Sequence, residues 1–314
     1  MIADMSCKGR PSVRLLRATH LFAAGLHMAW SAGGLALMPD VEVTVPVYYV
    51  PAAWGGPNVV ALGEPRVEFR YYTLRVLLWF SFVTAMFHLV YASLPGAGGV
   101  WNRLRWLEYA ITATMLTMNA VVGSGVMDYD AFLAIVVLMV GMQGAGLGLD
   151  IVHGKETEKG MRPLLLAIGF ANLAVVVTIL GRHANELETI IRNRMVAALY
   201  GIYYFSFGVS GALRAYDVWL WSSSAWTELV YAVLSLSAKT SMFWISYGGT
   251  MHALVVFRGY SSSVDWAAVQ SWAAYGPGSL ALAALAVGGA SYDLERRQVV
   301  EGSAARVELA SFKL

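Results

Sequence analysis

Residues 229–248, LVYAVLSLSAKTSMFWISYG, form an apolar run with one charged side chain, Lys239, near its middle. An ammonium at bilayer depth costs several kcal/mol, about 3 even on lenient insertion scales. Such a lysine is expected to be paired in a cavity or covalently modified. Because a lysine amine forms Schiff bases with aldehydes, the rest of the chain must supply a carboxylate partner and a pocket if Lys239 is an attachment point.

Composition places that run in a membrane. Of 314 residues, 58% are hydrophobic and 13% charged, with mean hydropathy +0.57, which is too apolar for a soluble domain of this size. The lone cysteine, Cys7, allows no intrachain disulfide, and a net charge of +2 does not suggest nucleic acid. Residues 1–38, with Lys8, Arg10, Arg14 and Arg17 ahead of an apolar stretch, mimic a signal peptide. They are read instead as an N-terminal arm (1–13) and a first span, because the apolar part is long enough to cross a bilayer and carries histidines.

A span needs about 20 mostly apolar residues. Six precede the lysine segment, near 14–38, 72–95, 104–126, 131–153, 162–181 and 195–216, and the lysine segment at 226–250 is the seventh. The expected fold is an all-α membrane protein, a seven-helix bundle over 14–250 with short connections between antiparallel neighbours. The exception is 39–70, where VEVTVPVYYV and NVVALGEPRVEFRYY flank PAAWGGP. These β-rich pieces predict a small two-stranded ribbon outside the membrane. Residues 251–314 form a C-terminal extension, with an interfacial or broken eighth helix over 264–290.

Loop charges set the orientation. With the N-terminus inside, the inner segments hold ten basic residues: Lys8, Arg10, Arg14, Arg17, Arg103, Arg105, Lys155, Lys159, Arg162 and Arg214. The outer ones before 251 hold six, Arg66, Arg70, Arg75, Arg182, Arg192 and Arg194. A cytoplasmic N-terminus is expected.

The third span opens WNRLRWLEYAITATMLTMN, placing Glu108 in the membrane with Arg105 one turn before it and Thr112 one turn after, on one face. Thr84 and His88 align in the second span, and His20 and His27, seven apart, align in the first. At about 1.5 Å per residue, Glu108 and His88 fall roughly 8–12 Å from the inner surface and Lys239 and His27 roughly 20 Å in. Ser235 lies one turn before Lys239. Buried ionisable groups in membranes are often structural; for His20 that reading is preferred, and for Glu108 a plain ion pair with Arg105 is the competing one. One lysine, one carboxylate and two histidines at compatible depths favour a site.

In that site a protonated Schiff base on Lys239 is a buried cation, and a Glu108 carboxylate stabilises it. Light-driven isomerisation of a conjugated aldehyde would let the proton leave, with His88 and His27 as acceptors, since an unperturbed imidazole has a pKa of about 6.5. Thr84, Thr112 and Ser235 would hold a linking water. An apolar pocket is expected from Trp244, five residues after the lysine, with Tyr203, Tyr204, Phe205 and Phe207 on the sixth span and Met115, Met118 and Met142 in the middle. No catalytic residues and no metal ligands are expected.

RWLEYA (105–110), VLSLSAK (233–239) with Trp244, Leu26-His27 and Phe87-His88, in this order across residues 12–250, resemble the heliorhodopsins, microbial retinal-binding proteins. The resemblance implies all-trans retinal bound covalently on Lys239, Glu108 as counterion, Ser235 beside the Schiff base, and His27 and His88 in a cytoplasm-facing polar cavity. It also implies an inverted topology, a homodimer in lipid, slow photocycles and sensing through a signalling partner rather than ion pumping or enzymatic activity. The sequence departs from the family at Ala110, where a serine is expected, at Trp30, where a polar residue is usual, and in a fifth span without tryptophan.

Two other functions are compatible with the same residues. Glu186, Glu188, Asp128 and Asp130 make an acidic outer mouth suited to a light-gated proton or cation conductance. A retinal-free transporter or scaffold would use Lys239 and Glu108 as an ion pair. Neither Asp-Arg-Tyr nor Asn-Pro-x-x-Tyr occurs where an animal-type receptor would carry it.

Overall fold

A computed structural model describes residues 12–38, 44–56, 59–94, 99–155, 159–186, 191–258 and 269. The arm up to residue 11 with Cys7, Glu188, and the eighth helix expected over 264–290 lie outside the described residues, Val269 apart. The described chain forms seven helices: α1 (Val13–Ala36), α2 (Thr73–Ser93), α3 (Gly99–Gly123), α4 (Tyr129–Val152), α5 (Met161–Glu186), α6 (Ile191–Ala215) and α7 (Ser224–Arg258). Two starts carry polar caps that satisfy otherwise orphaned amides: Leu15 N donates to Ser12 Oγ (3.1 Å) and Ala131 N to Asp128 Oδ1 (2.8 Å).

All seven coincide with the expected spans, and the differences are at the ends. α3 begins at Gly99 rather than 104, and α7 runs on to Arg258 rather than stopping at 250. By length and apolar composition alone, Thr73–Ser93, Tyr129–Val152, Met161–His183 and Ser224–His252 suffice to cross a membrane. α1, α3 and α6 are less apolar, and α1 and α3 hold the polar groups described below.

The segment between α1 and α2 is more elaborate than one two-stranded ribbon. β1 (Thr44–Tyr49) pairs antiparallel with β4 (Arg66–Tyr72), and β2 (Ala52–Gly56) with β3 (Val59–Leu62), giving two two-stranded sheets. Pro51 and Pro65 sit where the outer pair gives way to the inner, and a proline offers no amide to continue a ladder. The ribbon is fastened to the bundle by Tyr48 N donating to Met127 O (2.8 Å) and Asn119 Nδ2 donating to Tyr71 Oη (3.0 Å).

Helix α7 is the axis of the bundle. In its candidate span 72% of the window is buried, against 17% for α5, which makes α5 a peripheral helix. Leu77, Phe80, Ile135, Met139, Tyr200, Phe243 and Tyr247 are fully buried between helices. Leu21, Phe22, Trp79, Val137, Leu164 and Ile202 point outward and are more than half exposed. Apolar side chains both inside and outside are what a bilayer requires of a bundle.

Candidate functional site

Lys239 and Glu108 meet in the interior as an ion pair, each almost fully buried. α7 and α3 bring them together across 131 residues of sequence. The second carboxylate oxygen of Glu108 accepts a hydrogen bond from Tyr91 Oη (3.0 Å), so both oxygens are engaged. The Tyr109 ring lies 5.5 Å from Lys239 Nζ and presents its π face to the ammonium. This contact corrects the depth difference expected between the two residues. Because α3 starts five residues before 104, Glu108 lies nine residues into its helix rather than four, and the flexible four-carbon stem of the lysine spans the rest.

A cavity of about 900 Å³, its opening included, lies against Lys239. On α7 it is bounded by Ser235, Ala238, Lys239 and Met242, and on α3 by Trp106, Tyr109, Ala113 and Leu116, spacings that place each set on one helical face. Met142, Phe170, Tyr203, Tyr204 and Phe207 close the other sides. Two glycines create the room: a Cβ on Gly146 would fall 2.2 Å from the Trp106 ring, and one on Gly208 2.7 Å from the Phe170 ring. The wall tyrosines spend their hydroxyls on neighbours, Tyr203 with Ser241 Oγ (2.9 Å) and Tyr204 with the Ala113 carbonyl (3.2 Å). The side chain of Gln143 is the one amide in the lining.

Several expected pocket residues are elsewhere. Trp244 packs against Phe243 and Tyr247, because five residues at about 100° each carry it well round α7 from Lys239. Met115 lies off the cavity-facing positions of α3 and packs against the main core. The Thr112 hydroxyl bonds back to the Glu108 carbonyl (2.9 Å), so it braces the helix rather than facing the cavity. Phe205 is more than half exposed on the outside of α6. Trp30, the unusual residue of α1, covers His27 and Phe243.

A second, smaller cavity lies on the other side of Glu108, bounded by His20, His88, Tyr91, Arg105, Glu228 and Ser235 among others. His20 and His88 face one another through their Nδ1 atoms (2.9 Å), and the His27 ring stacks 6.0 Å from His88. His20, read as structural from sequence, is therefore part of the cluster. His27 is tied to Ser81, whose hydroxyl also donates to the His27 carbonyl (2.8 Å), and neither His27 nor Thr84 borders the cavity. The Ser235 hydroxyl, common to both cavities, is buried beside Tyr109.

Arg105 does not pair with Glu108. Its guanidinium binds Glu228 of α7 through Nη1 and Asp150 of α4 through Nη2 (2.7 Å), and stacks on Tyr231 at 4.4 Å. Trp106 Nε1 donates to the same Asp150 oxygen (2.5 Å), which ties the wall of the large cavity to this cluster. Sequence reasoning missed Tyr91, Asp150 and Glu228; a membrane-embedded carboxylate is itself a signal, and Asp150 and Glu228 stand near the ends of two spans. At the ribbon end, Asp128 and Asp130 are exposed as expected of an acidic mouth, but Asp128 is the cap of α4.

A seven-helix bundle whose central helix offers one buried lysine to a carboxylate and to an aromatic cavity defines a rhodopsin-type membrane protein. The solved structure of cyanorhodopsin N4075R from the cyanobacterium Tolypothrix sp. NIES-4075 has this fold: it matches with TM-score 0.55 at 10% identity, over 83% of this chain and 97% of that one. The family model described as Heliorhodopsin matches residues 16–251, and the chain belongs to that family. The comparison with curated proteins gives no match.

Membership implies a retinal chromophore and a light-sensing role in a membrane. The residues present fit the group, since sites that enclose such a ligand are concave and mostly apolar with a few placed polar groups. The lining of the large cavity is apolar, an amine stands at its wall, and Gly146 and Gly208 leave space that a Cβ would fill.

Proposed function

We propose that the chain is a retinylidene photoreceptor, with all-trans retinal held on Lys239 as a protonated Schiff base and with a sensory or regulatory output. The observation that carries this reading is the buried Lys239–Glu108 pair at the wall of the aromatic cavity. When bound, retinal supplies a conjugated system that absorbs visible light and isomerises. The protein's part is to fix charge and exclude water. Glu108 balances the positive charge at Lys239 Nζ, and Tyr91 orients the carboxylate by holding its second oxygen. Tyr109, Met242 and Trp106 confine the chromophore beside the amine. Ser235, one turn before Lys239 on α7 and bordering both cavities, is placed to accept a hydrogen bond from the Nζ proton as it moves.

The proton's exit is toward the histidine side, since His20, His88 and Tyr91 border the polar cavity while the large cavity offers almost no polar surface. With the N-terminus cytoplasmic, as the loop charges favour, that exit faces the cytoplasm. The outward apolar faces suit lipid and a homodimer, whose output passes to a signalling partner.

Purification with all-trans retinal tests the reading. A visible absorption band is expected for the wild-type chain and none for Lys239→Ala; a band that survives this substitution would sink it. A sustained photocurrent at zero voltage in illuminated cells would replace the sensory role with transport.

A further inference from the structure

The small cavity has a carboxylate at each end, Glu108 beside Lys239 and Glu228 on the Arg105 cluster. The question is where a proton displaced from Lys239 comes to rest. His20 and His88 are poor final sites. Their Nδ1 atoms bind each other, their Nε2 atoms are buried without a partner, and among the described residues no carboxylate is hydrogen-bonded to either. An extra proton on this pair makes a buried imidazolium with no carboxylate bonded to it among the described residues, Glu108 acting on His20 only through space, which is costly. The Tyr91 phenol already carries its proton and donates it to Glu108.

Glu228 is different in its charge count. It faces Arg105 from α3, Asp150 from α4 and Arg214 from α6. Arg214 is itself held by the Trp221 carbonyl (2.8 Å), Ser224 Oγ (3.1 Å) and Asp217 (3.6 Å). Asp150 and Glu228 therefore share the single guanidinium of Arg105, and all three are more than nine-tenths buried at the side chain. A proton on Glu228 leaves Arg105 and Asp150 as a one-to-one pair. It removes one of the two negative charges that compete for that guanidinium, rather than placing a positive charge on a group with no bonded carboxylate.

We propose that Glu228 is the terminal proton acceptor of this cavity. The N–H bond at Lys239 breaks and an O–H bond forms at Glu228, by way of Glu108 and the cavity between them, with no change of oxidation state. The inference rests on the photoreceptor reading. It has a structural consequence: neutral Glu228 loses its charge-assisted bond to Arg105, which fastens α7 to α3 at the end of the bundle away from the ribbon. Proton arrival would thus loosen the start of α7, the helix that carries the chromophore site.

Light-induced infrared difference spectroscopy on the retinal-loaded protein tests it. A carboxylic acid C=O band should appear with the deprotonated photostate, vanish in Glu228→Gln and return at a shifted frequency in Glu228→Asp. In retinal-free protein, acidification should raise the same band in wild type and not in Glu228→Gln. A light-induced band that survives Glu228→Gln, or is unshifted in Glu228→Asp, would overturn the assignment. If the glutamine variant does not fold, the frequency in Glu228→Asp decides alone. Loss of every visible band in wild type would instead count against retinal binding, so the two failures are distinct.

Discussion

The two cavities on either side of the Lys239–Glu108 pair share Tyr109 and Ser235 and differ in almost everything else. In the large one, wall tyrosines turn their hydroxyls into neighbouring helices, and aromatic rings and methyl groups face the space. In the small one, two carboxylates, a guanidinium, two imidazoles and three phenols converge. One amine therefore presents its stem to hydrocarbon and its charge to a polar network. The difference teaches direction: chromophore and proton are given separate compartments. Beyond the large cavity, toward the ribbon, Thr117, Tyr200, Tyr204 and Met139 bond to one another. These hydroxyls are spent on one another, whereas the carboxylates and imidazoles gather in the small cavity, which makes the polar side the favoured outlet.

Apart from the loss of the visible band in Lys239→Ala, the largest effect is expected from breaking the junction. In retinal-free protein Glu108→Gln leaves Lys239 buried without a counter-charge, and removing one partner of a buried pair costs about 3–5 kcal/mol. A marked drop in thermal midpoint is the expected reading. In the loaded protein the band should move to longer wavelength, because the carboxylate stabilises charge localised at the amine more than charge spread along the chromophore. An unmoved band would mean that another anion neutralises Lys239, and the polar compartment would have to be redrawn around it.

A smaller effect tests the apolar compartment alone. In Gly146→Ala the new methyl group would sit 2.2 Å from the Trp106 ring, so the ring must shift into the cavity or α4 must retreat. Overpacking of this kind costs about 1–3 kcal/mol. Retinal uptake should slow and the loaded fraction fall, while the acid-induced carboxyl band of retinal-free protein should stay as in wild type. Equal damage to both readouts would show that the compartments are coupled through Trp106 and Asp150, which are hydrogen-bonded.

The bundle and its pivotal pair were legible because both are stated locally. Seven apolar runs are long enough to span, and a lysine in one with a glutamate in another violates bilayer energetics conspicuously enough to be noticed. The partners of Arg105 were not. Spacing on α3 pointed to Glu108 three residues on, whereas the groups that bind the guanidinium lie 45 and 123 residues away on α4 and α7. Helical proximity is a weak claim on a side chain as long as arginine when two carboxylates from other helices converge on it. His20 was undervalued for a similar reason: its worth depends on His88, and no pattern within α1 reveals a neighbour on α2.

The smallest effect is the one that separates sequence proximity from spatial proximity. Trp244 is close to Lys239 along the chain, but its ring lies 5.1 Å from Phe243 and 5.9 Å from Tyr247, outside both cavities. Phe207 is 32 residues from the lysine and forms part of the cavity wall, its ring 5.5 Å from Tyr109. Trp244→Phe should cost some packing, yet leave the position of the visible band unchanged. Phe207→Leu should move that band, because it replaces a polarisable ring beside the chromophore with a smaller alkyl group. A larger shift from Trp244→Phe than from Phe207→Leu would place the chromophore on the α1 side of α7. The apolar compartment described here would then be the wrong one.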